Sequence, residues 1–347
     1  MRCPSMRKLA LLPLPLCLMF AQVVLAGRPG EPCLRDAPPR DGHPLFGNPH
    51  IRCTLVAEPT DDFVATCFTI ADLDGDGDLD VAITNQDPAT TSSPAHVTVL
   101  LNLGDGVFAD PVPYDCGDHT ASIASGDLDG DTDVDLVVTN ANSGRVSVLK
   151  NNGDGTFGPR TSFAVGTNPR SVAVGDLDGD NDLDLAVMNS TSDTISVLKN
   201  NGDGTFAPQV AYPAGPVSGV LDVDPWRYGG PWLAIGDLDG DADLDVVVPA
   251  SGFISVLMNN GDGSFAPFVT YPVPYASTSS PVYCVTIGDW DGDQDNDLAT
   301  VIWSWNPSTR DLSVFANNGD GTFAPAVTYD IHYEPDPGSI MEAAIVT

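Results

Sequence analysis

The chain has 347 residues and carries 48 acidic against 14 basic side chains, which gives a formal net charge of −34 at pH 7. A surface this acidic repels a phosphate backbone, so the composition argues against a nucleic-acid partner. No stretch after residue 26 approaches the roughly 18 apolar residues of a membrane span, so no transmembrane segment is predicted.

The N-terminus has the pattern of an export signal. A basic start precedes an apolar run from Leu9 to Leu25, and the small side chain of Ala26 predicts cleavage after that residue, which makes residues 1–26 a signal peptide. Residues 27–45 contain five prolines and little periodicity, which predicts a linker. The remainder, residues 46–347, is repetitive. We therefore expect a secreted, periplasmic or cell-surface protein with one repeat domain.

A nine-residue stretch, termed the aspartate loop, recurs five times with an aspartate at every odd position. The loops contain 25 of the 48 acidic residues, so they explain most of the net charge. These aspartates are the candidate metal ligands. They are Asp72, Asp74, Asp76, Asp78 and Asp80; Asp127, Asp129, Asp131, Asp133 and Asp135; Asp176, Asp178, Asp180, Asp182 and Asp184; Asp237, Asp239, Asp241, Asp243 and Asp245; and Asp289, Asp291, Asp293, Asp295 and Asp297.

Carboxylates packed this closely repel one another. Two unit charges about 4 Å apart repel by roughly 1 kcal/mol in water and by roughly 4 kcal/mol at an effective dielectric constant near 20. Four or five of them therefore converge only around a cation or after protonation. The loops contain no His or Cys, so every ligand is oxygen, which favours a hard ion over zinc or copper. Calcium accepts about six to eight oxygens in a flexible geometry and is favoured over magnesium. The alternative is an acidic, solvated hairpin without a metal.

Two other kinds of calcium loop do not fit the pattern. An EF-hand has Glu at position 12 and flanking helices, whereas position 12 here is Ile, Val or Thr and apolar β-branched residues follow the loop, as in Leu136–Val138. A nine-residue β-roll repeat is excluded because successive loops start 55, 49, 61 and 52 residues apart (127−72, 176−127, 237−176 and 289−237). The pattern predicts one strand–loop–strand calcium site per repeat, about five in all.

A second motif, termed the turn motif, follows each aspartate loop. It reads Asn-Asn-Gly-Asp-Gly-Thr-Phe at residues 200–206 and recurs, once loosely, in the other four repeats. Its Asn-Gly and Asp-Gly pairs supply the positive φ angles of tight hairpins, and we expect its Phe to start a strand. Each repeat then has four short strands, for example Ser171–Val174, Leu185–Val187, Ile195–Leu198 and Ala207–Tyr212. With no helical pattern present, the sequence predicts an all-β protein whose four-stranded sheets stack around an axis as a β-propeller.

The aspartate loop and the Phe-Ala/Gly-Pro after the turn, as in Phe206–Pro208, resemble the FG-GAP/VCBS repeat family, which includes the β-propeller of integrin α-subunits. The resemblance implies a calcium-binding β-propeller over residues 46–347, with five loop-bearing repeats. It implies side-chain ligands at loop positions 1, 3, 5 and 9 and a backbone carbonyl at position 7. The sequence leaves open whether the ring closes with five or six blades, is closed by terminal strands, or is incomplete.

Position 6 of the loop departs from the family pattern. The family often has Gly there, where the chain turns sharply, and here only Gly77 fits. A β-branched residue such as Thr132 adopts a left-handed conformation poorly. We therefore expect the second calcium site to be weaker than the first.

Two functions are compatible with this reading. The first is an extracellular binding or adhesion module for a protein or a glycan. The second is a polysaccharide-active lyase or hydrolase, or a non-catalytic part of one. No catalytic motif is recognised and the five histidines are scattered along the sequence, so a non-enzymatic function is favoured.

Candidate ligand-binding residues lie in the connections on the face opposite the two repeated motifs. Aromatic side chains together with an Arg are typical of sugar or protein sites. The alternative is that the tryptophans pack at blade edges. The candidates are Trp226, Arg227, Tyr228, Trp303 and Trp305.

Overall fold

The computed structural model describes residues 64–86, 94–104, 107–217, 233–276, 282–303 and 310–330. The predicted signal peptide and linker lie outside these residues. Every regular element within them is a β-strand, which confirms the predicted all-β class. None of the described segments forms a helix with the length and hydropathy of a membrane span.

Within these described segments, twenty strands form five antiparallel sheets of four, which we number as blades 1 to 5 in chain order. Blade 1 contains β1 Val64–Ala71, β2 Asp80–Gln86, β3 Pro94–Leu100 and β4 Val112–Asp118. Blade 2 contains β5 Thr120–Gly126, β6 Asp135–Asn140, β7 Arg145–Leu149 and β8 Thr161–Ala164. Blade 3 contains β9 Pro169–Gly175, β10 Asp184–Asn189, β11 Thr194–Leu198 and β12 Val210–Pro213. Blade 4 contains β13 Ala234–Gly236, β14 Asp245–Pro249, β15 Phe253–Leu257 and β16 Val269–Pro272, and blade 5 contains β17 Val282–Gly288, β18 Asp297–Trp303, β19 Arg310–Phe315 and β20 Val327–Asp330.

Within each blade the strands pair in the order in which they follow one another along the chain. The aspartate loop joins the first strand to the second and the turn motif joins the third to the fourth, so both motifs lie at the same end of the blade. The connections between the second and third strands, and between successive blades, lie at the opposite end. In blade 3, Asp184 pairs with Gly175, so the last aspartate of the loop already belongs to the second strand. The predicted propeller blade is confirmed.

The apolar core lies between blades rather than within them. Every residue of β6 and of β10 is buried, because neighbouring blades cover both faces of these second strands. One cluster joins blade 2 to blade 3 and includes Val137, Val148, Leu185 and Phe206. Similar clusters join the other neighbouring blades. Strands buried on both faces are rich in Val, Ile and Leu, as observed here.

The turn-motif phenylalanine does not start the fourth strand, so that prediction was wrong. Phe206 forms an isolated bridge with Asn200, and the fourth strand begins at Val210. Pro208 stands between them and has no N–H for a strand ladder. Phe206 is instead buried against Phe163 of blade 2, edge to face with 5.1 Å between ring centroids. The same aromatic contact joins the other three pairs of neighbouring blades.

The first asparagine of the turn motif ties neighbouring blades together. Asn200 Nδ2 donates to the carbonyl oxygen of Leu128 in blade 2 at 2.8 Å and to that of Leu183 in its own blade at 3.0 Å. Leu128 occupies position 2 of the preceding aspartate loop. The loop of one blade is thus fixed against the turn of the next. Equivalent bonds are made by Asn151, Asn259 and Asn317.

The described blades form an open series. The leucines at position 2 of the first four loops are 1–2 % exposed because the next blade covers them, whereas Trp290 at the same position of the fifth loop is 57 % exposed. At the other end Leu79 is 60 % exposed, whereas its counterpart Leu183 packs into the cluster between blades 2 and 3. Among the strands described, those of blade 5 make no extensive contact with those of blade 1.

Replacing Asn200 with Ala should lower the free energy of unfolding by about 1–3 kcal/mol, because two carbonyl oxygens at the blade interface lose their donor. Asn201→Ala is the matched control, since the exposed Asn201 amide donates to Thr205 Oγ1 within the same turn. The control should change stability by less than about 0.5 kcal/mol. Chemical denaturation measures both, and equal losses would contradict the bridging role.

Candidate metal centres

Each aspartate loop is curled by hydrogen bonds from its own backbone to its first carboxylate. In the third loop, Asp176 Oδ1 accepts from Gly179 N at 2.8 Å and Asp176 Oδ2 accepts from Asn181 N at 2.9 Å. The same two bonds occur in the other four loops. A short polar side chain that bonds backbone N–H groups ahead of it favours such turns. The alternate side chains of the loop are therefore held in one recurring arrangement.

The last aspartate of each loop is buried and joins two distant segments. Asp184 Oδ2 accepts from Leu177 N in the loop at 3.1 Å, and its Oδ1 accepts from Asn200 N in the turn motif at 2.7 Å. Asp184 is 0 % exposed. All five loops contain this pair of bonds. The carboxylate at position 9 is therefore held in place by backbone groups of the protein itself.

The structure brings together the aspartates at positions 1, 3 and 9 of every loop, each offering one oxygen within 4.8 Å of the others. Each such group could hold a metal ion. The groups are Asp72, Asp74 and Asp80; Asp127, Asp129 and Asp135; Asp176, Asp178 and Asp184; Asp237, Asp239 and Asp245; and Asp289, Asp291 and Asp297.

Burial acts against the negative charge of these carboxylates. Desolvation raises the pKa of Asp135, Asp184 and Asp245 to about 6, although backbone N–H bonds favour their charged forms. The pKa of Asp74 and of Asp239 is also raised. Desolvation is the larger cause, and repulsion from neighbouring loop carboxylates is the second. An opposite charge within the group would favour the ionised forms.

Two buried oxygens supply a test of whether the residues fit a metal. Asp129 Oδ1 and Asp178 Oδ1, at position 3 of the second and third loops, are buried and accept no hydrogen bond from the described residues. A buried acceptor without a partner costs stability, and a bound cation would satisfy it. The donor set consists of oxygen alone, which suits a hard cation. The residues present therefore fit such an ion.

Positions 5 and 7 are not part of these groups of three. Asp180 Oδ1 at position 5 accepts from Asp182 N at 2.9 Å. The side chain of Asp182 at position 7 lies against Gly202 of the turn motif, where a Cβ would meet Asp182 Oδ2 at 2.7 Å. The side chain at position 7 therefore lies against the turn motif, away from the three converging carboxylates. This is compatible with a metal-ligand role for the backbone carbonyl of that residue. The ligand roles of positions 5 and 7 remain predictions.

Position 6 is left-handed in all five loops, as the sequence analysis expected of a sharp turn. Only the first loop has glycine there, so four other residue types adopt a conformation that favours glycine. The φ angles are 91° for Gly77, 79° for Thr132, 73° for Asn181, 76° for Ala242 and 79° for Gln294.

A family model described as "FG-GAP-like repeat" matches residues 72–138, 127–187, 182–248 and 237–300. The chain belongs to the FG-GAP repeat family. The first match runs from the first aspartate loop to Val138 in β6, so each repeat of the family spans the interface between two blades. Among curated protein sequences, none matches this FG-GAP chain.

Solved structures resemble the chain at low sequence identity. A candidate 6-phosphogluconolactonase from Bacteroides uniformis matches with a TM-score of 0.52 and 16 % identity, over 77 % of this chain and 71 % of that one. An Agrocybe aegerita lectin that recognises non-reducing terminal N-acetylglucosamine matches with a TM-score of 0.49 and 22 % identity, over 75 % of this chain and 65 % of the lectin. The V. cholerae biofilm matrix protein Bap1 matches with a TM-score of 0.48 and 15 % identity, over 79 % of this chain and 41 % of Bap1. The FG-GAP chain thus spans less than two thirds of the last two proteins.

The predicted ligand-binding residues fall largely outside the described part of the FG-GAP chain. Trp226, Arg227, Tyr228 and Trp305 lie outside it, and Trp303 ends β18 without a described side chain. Their proposed role stays a prediction.

Two lysines that were not among the predicted site residues contact the aspartate loops. Lys150 Nζ lies 3.1 Å from Asp129 Oδ2, and Lys199 Nζ lies 3.1 Å from Asp178 Oδ2. Each lysine directly precedes a turn motif, where the first blade has Leu101. An alignment of the five turn motifs on one another would have singled them out.

Thr132→Gly should stabilise the metal-loaded protein by about 1 kcal/mol. A non-glycine residue in the left-handed region costs about 1–3 kcal/mol, and the gain is partly offset because glycine is more flexible in the unfolded chain. Gly77→Thr is the reciprocal variant and should destabilise, since no atom lies within 4 Å of its added Cβ and backbone strain acts alone. Denaturation in excess metal measures both. If neither variant changes stability, the second site is not weakened by Thr132.

Proposed function

We propose that this protein is exported and acts as a calcium-stabilised binding module for an extracellular protein or glycan, without catalytic activity. The N-terminal pattern of basic and apolar residues supports export. The observation that carries the binding function is that the backbone strain outside the aspartate loops lies on the face opposite to them, as described below.

Calcium is the ion that the loop chemistry favours. Each loop offers three converging carboxylates and no ligand atoms other than oxygen. Magnesium needs a near-ideal octahedron and retains several waters, whereas calcium accepts more oxygens at variable angles. Extracellular calcium modules bind weakly, with Kd values of about 10⁻⁴–10⁻³ M, which matches the setting expected for an exported chain.

The face opposite the aspartate loops, termed the variable face, comprises the connections between second and third strands and between successive blades. Outside the loops, every described non-glycine residue with a positive φ lies on this face: His119, Asn168, Asp193 and Tyr275. Such conformations cost free energy and cluster at ligand sites. Tyr275 is also 72 % exposed, so its ring is accessible to a ligand.

The connections on the variable face are held by hydrogen bonds to one another. Ala141 N donates to His119 O at 3.0 Å, and Ser190 N donates to Asn168 O at 3.0 Å. In both pairs the connection between two blades is bonded to the neighbouring connection of the following blade. A surface fixed in this way loses little conformational entropy on binding, which favours recognition.

Calcium should raise the melting temperature strongly relative to excess EGTA. A site loaded at about ten times its Kd contributes roughly 1.4 kcal/mol, so five sites contribute roughly 7 kcal/mol, comparable with the stability of a typical domain. Thermal unfolding followed by circular dichroism measures the shift, and calorimetric titration measures the stoichiometry. Magnesium is the control and should act weakly. An unchanged melting temperature in calcium would contradict the calcium assignment.

Tyr275→Ala should weaken ligand binding at least tenfold without changing the melting temperature, because an exposed aromatic anchor is removed. A printed glycan array and a panel of immobilised extracellular proteins would first identify a bound partner. Tyr329→Ala is the matched control, since Tyr329 is also exposed but lies on the outer strand β20. Turnover of a bound polysaccharide, or equal losses in both variants, would contradict the proposal.

A further inference from the structure

One position is equivalent in the first four blades but differs in charge. The residue directly before each turn motif, termed the interface position, packs against the second glycine of the next turn motif. Blades 1 and 4 have an uncharged side chain there, whereas blades 2 and 3 have lysine. The pairs are Leu101 with Gly155, Lys150 with Gly204, Lys199 with Gly263, and Met258 with Gly321.

Each lysine joins three segments through its ammonium group. Lys150 Nζ forms an ion pair with Asp129 at position 3 of its own aspartate loop and donates to the carbonyl oxygen of Asp203 in the next blade. Lys199 repeats this pattern with Asp178 and the carbonyl oxygen of Asp262. The ammonium therefore connects a metal group of one blade to the turn of the next.

The carboxylate at position 3 differs between the two kinds of blade. In loops without a lysine, the Oδ1 atom of the position-3 aspartate accepts a hydrogen bond from the backbone N–H of position 5. In the fourth loop, Asp241 N donates to Asp239 Oδ1 at 3.3 Å. The first and fifth loops show the same bond at 3.3 and 3.2 Å. In the second and third loops, the Oδ1 atoms of Asp129 and Asp178 are buried and accept no hydrogen bond from the described part of the chain. The loops with a lysine thus differ from the other loops in the hydrogen bonding of their position-3 carboxylate.

We propose that Lys150 and Lys199 are resident cations that divide the metal sites into two classes, weak calcium sites in blades 2 and 3 and tighter sites where the interface position is uncharged. This inference rests on the proposed calcium function. An ammonium and a calcium ion that share one carboxylate repel each other, which lowers calcium affinity roughly tenfold. Without calcium, the ammonium still neutralises part of the carboxylate charge, so the interfaces between blades 2 and 3 and between blades 3 and 4 depend least on the ion.

The chain supplies its own matched substitutions. Lys150→Met and Lys199→Met place at these positions the residue that blade 4 has naturally, keeping the apolar stem and removing the charge. Met258→Lys makes the reciprocal change in blade 4. Hydrogen-exchange mass spectrometry of the five loop peptides across buffered calcium concentrations gives a separate protection midpoint for each loop of the full chain.

Lys150→Met should shift the midpoint of residues 127–135 to roughly tenfold lower calcium and leave residues 237–245 unchanged. Lys199→Met should shift the midpoint of residues 176–184 in the same way. Met258→Lys should shift residues 237–245 to roughly tenfold higher calcium. In EGTA, Met258→Lys should raise the melting temperature and the two lysine variants should lower it.

The results separate the inference from the proposed function. If calcium protects no loop in the unmodified protein, the calcium function and the inference both fall. If calcium protects the loops but the lysine variants leave their own midpoints unchanged or move them upward, only the inference falls. In that case the lysines are ordinary exposed ion pairs, which contribute little to stability.

Discussion

The buried carboxylate at position 9 of the aspartate loop is the group on which the rest of the structure depends. In Asp184 its two oxygens accept N–H groups from the loop and from Asn200 of the turn motif. Asn200 in turn donates to the carbonyl oxygen of Leu128 in the preceding blade. One carboxylate therefore orients the loop, the hairpin and the blade interface together. Because burial disfavours its charge, a cation at this point would stabilise all three, and metal binding and blade packing would then be parts of one interaction.

The location of the core explains why the motif repeats. The apolar clusters lie between blades, so a single blade cannot bury its faces and is stable only beside a neighbour. Each interface has the same geometry and requires the same residues: an aspartate loop on one blade, and an asparagine and a phenylalanine on the next. The family model follows this unit, since its matches begin at one loop and end in the next blade.

Repetition made most of this fold predictable, and the failures occur where contacts depend on stacking. The loops, turns and four strands per blade follow from local periodicity. Phe206 was assigned to a strand because its neighbours suit one, but packing against Phe163 and the following Pro208 place it before the strand. Lys150 was overlooked because its partners, Asp129 and the turn of blade 3, meet only after the blades are stacked. The family resemblance implied side-chain ligands at positions 1, 3, 5 and 9, and the carboxylates at positions 1, 3 and 9 lie together, whereas nothing in the sequence analysis implied the uneven charge at the interface position.

In the proposed function, one face of the blades provides stability and the other provides recognition. On the face that carries the aspartate loops, the odd loop positions are constrained by the interface and are aspartate in all five blades. On the variable face, residues such as His119 and Tyr275 adopt strained backbone conformations, each costing about 1–3 kcal/mol. Calcium in the proposed sites would contribute a similar amount at each interface, roughly 1.4 kcal/mol when well loaded. The metal loops would then allow the opposite face to keep strained, exposed residues that a marginally stable domain could not otherwise retain.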